Sequence, residues 1–286
     1  MSYQTFTLSV EEHVAHLQLS RPEQRNAMNR AFWREFPEAV RMLDREADTR
    51  VLVISSSGKH FSAGMDLDVF AQPDPAMFNG EPGRRAEAIR RLVYQLQDCF
   101  NVLEEVRFPV ISAVQGGCIG GALDLVCATD MRYCTEDAYF TVKETELGMT
   151  ADLGTLQRLP QLIPQGIARE LAYTARKFIS TEALSSGLVN HVYPDQETML
   201  IEVFDIAQRI AAQSPLAVTG SKQMINYARD HSVRDSLNYM ATWQAGMFQP
   251  TDIMQTFTAK MSGKKPEYEG LRPITAPLQT REPTEK

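Results

Sequence analysis

VLVISSS, residues 51–57, opens on an unbroken apolar run with none of the alternation that a strand with one wet face would show. PVISAVQG, residues 109–116, repeats the pattern. Strands covered on both faces read this way, and they belong to parallel sheets whose connections lay helices on either side. Just upstream of the first run, NRAFWREFPEAVRMLDREAD places Phe32, Phe36, Val40 and Leu43 at helical spacing. Before it, FTLSVEEHVAHLQLS alternates apolar and polar positions about a polar turn, which predicts two strands. Helix and strand in succession build βαβ units, so the fold class is α/β.

The chain has 286 residues, 43% of them apolar and 23% charged, the balance of an ordinary globular protein. That length suits one large domain, or a core with an appended helical piece. The formal net charge of −7 argues against nucleic acid or an anionic membrane as partner, so an anionic ligand would need a locally basic patch. No apolar run reaches the ~18 residues of a membrane-spanning helix. Cys99, Cys118, Cys127 and Cys134 form no C-x-x-C pair and no zinc spacing, and read as reduced thiols. The opening MSYQTFTLSVEEHVAHLQLS lacks a basic start followed by an apolar run, and the closing REPTEK is not a peroxisomal address. The expected location is cytoplasmic.

Residues 71–85, AQPDPAMFNGEPGRR, are too long and too rich in Pro and Gly for a tight turn, and read as a lid or a disordered excursion. From about residue 165 the pattern is mostly helical. RDHSVRDSLNYMATWQAGMFQ is amphipathic and aromatic, with Asp230 or Ser232 as N-cap, and suits packing on its own core or on another subunit. These boundaries divide the chain into a core over 1–200, a helical region over 201–262 and a loose tail over 263–286.

Two strand ends lead into glycine turns, KHFSAGMDL (59–67) and QGGCIGGALDL (115–125). Glycine permits positive φ and a close backbone approach, and a helix opening straight afterwards offers unpaired N–H groups. Two such turns side by side would aim one N–H each at a single carbonyl oxygen, forming an oxyanion hole. Equally, glycine-rich connections between strand and helix are common and most serve only the turn. GGCIGG has neither the G-x-G-x-x-G spacing nor a Walker lysine, so nucleotide binding of that kind is not expected.

Acids cluster nearby. Asp124 falls in the first turn after Gly121, where it suits the helix dipole. Its neighbours ALDLVCA are apolar, however, which does not suit a simple solvated cap. In KETELGMTADLGTLQRLP (143–160), Glu144 follows Lys143, a possible ion-pair partner, and Asp152 precedes a predicted helix as a candidate N-cap. Facing one partly apolar cavity, the three carboxylates would raise one another's pKa toward the range of proton transfer. A hard-metal site usually has denser oxygen ligands, so no metal is expected. His60 beside Ser62, and Cys118 in the glycine turn, are weaker nucleophile candidates because no activating partner can be named.

RPEQRNAMN, FSAGMDL, GGCIGGALDL and RKFISTEALSSGLVNHV, in this order, resemble the enoyl-CoA hydratase/isomerase (crotonase) superfamily from about residue 5 to about residue 260. DMRYCTEDAYFTVKETELGMTADLGTLQRLP and RDHSVRDSLNY are similar to its dienoyl-CoA isomerase branch. The resemblance implies a ββα spiral core with a C-terminal helical trimerisation region. It also implies an acyl-CoA thioester substrate and no cofactor, coenzyme A being part of the substrate. The backbone N–H groups of Met65 and Gly121 would form the oxyanion hole. Ala63, Gly64, Met65, Asp66, Leu67 and Asp68, with Gly121 and Ala122, would bind the substrate. Ala122 departs from the family, which often has a third glycine there.

By the same resemblance, Asp124, Glu144 and Asp152 are the branch's three acids, spaced by 20 and 8 residues as its pattern requires. Ordinary hydratases have glutamates at the positions of Asp124 and Glu144, and no acid at that of Asp152. The implied reaction converts a 3,5-dienoyl-CoA to the 2,4-dienoyl-CoA by moving a proton from C2 to C6, and two acids on separate walls suit that distance. Glu144 and Asp152 are the expected proton carriers. The family picture puts Asp152 near C2 and Glu144 near C6, with Asp124 orienting Glu144 or adjusting its pKa. The alternatives are 2-enoyl-CoA hydration, in which a third acid is a desolvation burden, and an acyl-CoA-binding scaffold without turnover. A homotrimer or a homohexamer, as a dimer of trimers, is the implied assembly. Lys260, Lys264 and Lys265 are candidates for the coenzyme A phosphates, and residues 71–98 for the acyl pocket.

Overall fold

The computed structural model describes residues 2–71 and 80–275. Strands β1 (Phe6–Glu11) and β2 (Val14–Leu19) form the expected hairpin, paired from Phe6 with Leu19 to Glu11 with Val14. Asn29 caps helix α1 (Arg30–Glu46) by accepting the N–H groups of Ala31 and Phe32. All four residues of the helical stripe, Phe32, Phe36, Val40 and Leu43, are buried. Strand β3 (Val51–Ser56) then lies parallel to β2 and is buried along its whole length.

After the short helix α2 (Leu67–Ala71) the described chain resumes in the long helix α3 (Pro82–Glu105). The expected excursion over 71–85 is therefore corrected at its end, because Pro82 to Arg85 are helical. Pro82 occupies the first turn, where its missing N–H would have no partner anyway. Glu81 caps that turn by accepting the N–H groups of Gly83 and Arg84. Residues 72–79 of that expectation lie outside the described residues.

Strand β4 (Val110–Val114) pairs parallel with β3 and leads through β5 (Gly117–Ile119) into helix α4 (Gly121–Cys127). Strands β6 (Met131–Thr135) and β7 (Tyr139–Thr141) follow, then helices α5 (Thr155–Leu162) and α6 (Gln165–Thr174). Strand β8 (Phe178–Ile179), helix α7 (Ser180–Ser186), strand β9 (His191–Tyr193) and helix α8 (Gln196–Ala211) complete the core. The main sheet runs β1-β2-β3-β4-β6-β9, parallel from β2 onward, and a small second sheet runs β5-β7-β8.

The apolar run at 51–54 serves two cores. Val51 and Val53, with Ile111 and Ala113, pack under α8 beside Met199 and Val203. Leu52 and Ile54, with Val110 and Val114, face the larger core that holds α1 and α3. Cover on both faces removes the polar alternation of a one-sided sheet.

Helices α9 (Pro215–Asp230), α10 (Val233–Met247) and α11 (Pro250–Ser262) form the C-terminal helical region. Of the two proposed caps, Ser232 is the one used: its hydroxyl accepts the Asp235 N–H, while Asp230 ends α9. Of the expected loose tail, residues 276–286 lie outside the described residues. Residues 264–275 lack regular structure yet are pinned to the body. Arg50 donates to the Tyr268 carbonyl (3.1 Å), Arg107 to that of Arg272 (3.1 Å), and the Ile274 N–H to that of Arg45 (2.9 Å).

Candidate active site

The RPEQRNAMN stretch (21–29) builds the first glycine turn from outside it. Asn26 donates to the carbonyls of Ser57 (2.8 Å) and His60 (3.0 Å), and the Ala63 N–H donates to the Arg25 carbonyl (2.9 Å). Met28 and Met65 pair as an isolated bridge, through Met28 N–H to the Gly64 carbonyl (2.8 Å) and Asp66 N–H to the Met28 carbonyl (3.1 Å). The two glycine turns are stitched to each other as well. Phe61 N–H donates to Gln115, Ser62 N–H to Gly117, and Ile119 N–H to Ser62, at 2.8, 3.1 and 3.1 Å.

Gly64 makes this approach possible. It sits at φ 80°, and an ideal Cβ on it would stand 2.4 Å from the Ile119 carbonyl oxygen and 3.1 Å from the Gly121 nitrogen. The Met65 nitrogen in turn lies 3.7 Å from an ideal Cβ on Gly121. Among the described residues, neither the Met65 nor the Gly121 N–H has a hydrogen-bond partner. Two adjacent unpaired donors at the mouth of α4 are what a developing oxyanion requires.

Both donors border a cavity of about 580 Å³ that Glu144 and Asp152 also line. Glu144 opens a 3₁₀ turn, Glu144–Leu147, and its Oε1 stands 3.1 Å from an ideal Cβ on Gly120, against the second glycine turn. The suggested ion pair with Lys143 does not form; Lys143 pairs with Glu146. Burial first, then the charge of Asp152, raise the Glu144 carboxyl above its ordinary range. Burial likewise raises that of Asp152.

Asp152 does not cap α5. The cap position is Gly154, and the N–H of Thr155 is taken at 2.6 Å by Asp124 Oδ1, reaching across from α4. Asp124 is 1% exposed, and burial, reinforced by the charges of Glu144 and Asp152, pushes its carboxyl to about 7. Among the described residues, Asp124 Oδ2 and Glu144 Oε2 are buried without a hydrogen-bond partner. Asp124 does not line the cavity but stands behind its wall.

Because folding raises the Asp124 pKa from 3.8 to about 7, the folded protein binds more protons than the unfolded chain between those values. Stability therefore falls as pH rises through that window. Asp124→Asn removes the titration and keeps an oxygen for Thr155. Its stability relative to wild type should climb by up to roughly 4 kcal/mol from pH 4 to pH 8. Urea denaturation of both proteins across that range checks this, and a constant difference would contradict it.

Of the residues expected to bind substrate, Ala63, Met65, Asp66, Leu67, Asp68 and Gly121 line the cavity. Gly64 and Ala122 do not: Gly64 is closed over by the second turn, and Ala122 is buried in the main core. Residues not expected at the site complete the wall, among them Arg21, Arg25, Leu147 and Met149, together with Lys143. Arg21 was legible in principle, since it opens the RPEQRNAMN motif. It donates to the Ala27 carbonyl (2.7 Å) and pairs with Asp66 (3.4 Å). The basic groups at the cavity are thus Arg21, Arg25 and Lys143 rather than Lys260, Lys264 or Lys265, and no described residue of 80–98 lines it.

The nucleophile candidates fall away. Cys118 is fully buried, and burial pushes its thiol well above the usual range. His60 Nδ1 accepts the Gly117 N–H (3.0 Å), while the Ser62 hydroxyl donates to the Asn26 carbonyl (2.8 Å), so the two do not pair.

The family model for enoyl-CoA hydratase/isomerase matches residues 9–270. A mitochondrial Δ3,5-Δ2,4-dienoyl-CoA isomerase of Rattus norvegicus is 48% identical over 257 residues, covering 90% of this chain and 79% of the relative. A peroxisomal Δ3,5-Δ2,4-dienoyl-CoA isomerase of Arabidopsis thaliana is 40% identical over 271 residues, covering 93% and 98%. A solved enoyl-CoA hydratase from Bacillus anthracis superposes with a TM-score of 0.83 at 29% identity, over 93% of this chain and 99% of that one. These relatives overturn the expected cytoplasmic location, since they are named for mitochondria and peroxisomes. The expectation rested on reduced thiols and on termini without a recognised address, and reduced thiols suit any reducing compartment equally well.

Proposed function

The chain belongs to the enoyl-CoA hydratase/isomerase family, and from that premise we infer that it isomerises 3,5-dienoyl-CoA to 2,4-dienoyl-CoA. It is an intramolecular double-bond isomerase of fatty-acid metabolism. The observation that carries this reading at the site is Asp152, a carboxylate on the wall of a cavity that also holds Glu144 and two unpaired N–H donors, with Asp124 behind that wall.

In the proposed mechanism the thioester oxygen sits between the N–H groups of Met65 and Gly121. One carboxylate removes a proton from C2, and the electron pair of that C–H bond delocalises over the trienolate, from C6 to the thioester oxygen. The anion then collapses to form the C2=C3 and C4=C5 double bonds while a carboxylic acid delivers a proton to C6. Asp152 is assigned to C2 and Glu144 to C6. Each ends in the protonation state in which the other began, and exchange with solvent resets the pair. No electron is gained or lost overall, so the step calls for no redox cofactor. Raised pKa values suit both acids to this exchange near neutral pH. Asp124, half-protonated near pH 7, holds the start of α5 and adjusts Glu144 by its charge.

We also assign a homotrimer or a dimer of trimers to the chain. Helices α10 and α11 leave Val233, Leu237, Phe257 and Met261 exposed, Met261 at 89%, which suits a subunit contact. A solution mass equal to one 32.2 kDa chain would overturn that assignment.

The test of function follows the ultraviolet absorbance of the conjugated 2,4-dienoyl product from a 3,5-dienoyl-CoA, beside hydration of a 2-enoyl-CoA. Isomerisation should exceed hydration by about tenfold or more in kcat/KM, a difference of at least ~1.4 kcal/mol in transition-state stabilisation. Hydration in excess would make the enzyme a hydratase, and the absence of both reactions would favour an acyl-CoA-binding scaffold.

A further inference from the structure

Asp152 lies in a segment, residues 149–154, that has no regular secondary structure. A proton carrier on such a segment needs fixing from outside, because a misplacement of about 1 Å can cost on the order of a hundredfold in rate. The fixing comes largely from one face of α3. Gln97 Nε2 donates to the backbone carbonyl of Asp152 itself at 2.7 Å. Four and seven residues on, Asn101 Oδ1 and Glu104 Oε2 accept from Arg158 Nη2 at 2.6 and 2.7 Å. Arg158 Nη1 in turn lies over Gly154 and within 3.4 Å of the Leu153 carbonyl.

Residues 97, 101 and 104 share one face of a helix by their spacing. The alternate face of α3, at Cys99, Phe100, Val102 and Leu103, is buried in the main core, so the polar stripe stands on a rigid support. Arg229 also pairs with Glu104. Although burial pushes the Glu104 carboxyl up, the two guanidinium groups hold it below its ordinary range, as a charged anchor. On the other flank, Asp124 fixes Thr155.

We propose that Gln97 is a positioning residue for the isomerisation, holding the Asp152 backbone so that its carboxylate meets C2. The proposal rests on the reading of Asp152 as a proton carrier. Gln97 does not line the cavity that holds Glu144 and Asp152, and it reaches Asp152 through that one carbonyl.

The test is a double-mutant cycle on the full-length enzyme with a 3,5-dienoyl-CoA. Gln97→Met keeps length and volume but has no donor, and Gln97→Glu keeps the shape and replaces the donor by an acceptor. Each should lower kcat about tenfold with KM within about twofold and with the thermal midpoint almost unchanged. In the Asp152→Asn background the further loss should be under about twofold, because the residue positioned no longer carries a proton. An equal loss in both backgrounds, a loss confined to KM, or no loss in the wild-type background overturns the proposal while leaving Asp152 as proton carrier. Wild-type activity in Asp152→Asn alone overturns the reading of Asp152, and the role of Gln97 with it.

Discussion

Glu144→Gln should lower kcat for isomerisation by about 10²–10⁴-fold, with KM little changed and the protein no less stable. Asp152→Asn should do the same. The two halves of this expectation have one cause. Burial raises the pKa of both carboxyls, and Glu144 Oε2 is buried without a partner among the described residues. The folded state therefore disfavours the charged forms, and a neutral amide of the same shape relieves that penalty while removing the proton carrier. Steady-state kinetics together with thermal melts at pH 8 read both halves. A structural role would show the reverse pattern, a lower melting temperature with kcat kept.

The second large effect is at Gly64. Gly64→Ala places a methyl group 2.4 Å from the Ile119 carbonyl oxygen, at a φ of 80° that an L side chain rarely adopts. The obstacle is backbone, which cannot rotate aside, so the two glycine turns must part. Parting them separates the Met65 and Gly121 donors. The loss of one oxyanion donor is worth about 10²–10³-fold in kcat, and we expect a loss at least in that range together with a lower melting temperature. Gly121→Ala is the control for strain, because its Cβ meets nothing nearer than 3.7 Å and the fold should hold. If Gly64→Ala is as active and stable as wild type, the oxyanion assignment fails.

Much of this was legible in the sequence because local chemistry and tertiary structure agree. The run at 51–54 announced a strand covered on both faces, and the stripe from Phe32 to Leu43 announced a buried helix. Other features depend on distant partners. Asp124 and Thr155 lie 31 positions apart, so nothing local reveals that the cap of α5 comes from α4 rather than from Asp152. Pro82 and Gly83 look like loop residues until Glu81 is seen to cap them. Arg21 belonged to a recognised motif, yet its place at the cavity follows from its bonds to Ala27 and Asp66, which no spacing rule supplies. Gln97 carries no signal at all, since an amide on a helix becomes meaningful only when its partner is the carbonyl of a proposed proton carrier.

The central claim is that two carboxylates divide one proton transfer, and hydrogen exchange in deuterated water, read by NMR, tests it most directly. With Glu144→Gln, the C2 position of the 3,5-dienoyl-CoA should exchange while no 2,4-dienoyl product forms. With Asp152→Asn, the C6 position of the 2,4-dienoyl-CoA should exchange while no 3,5-dienoyl product forms. Complementary exchange of this kind is the result the two-acid account predicts. Loss of exchange at both carbons in one variant, with the other variant fully active, would show that a single carboxylate does all the work and would contradict it.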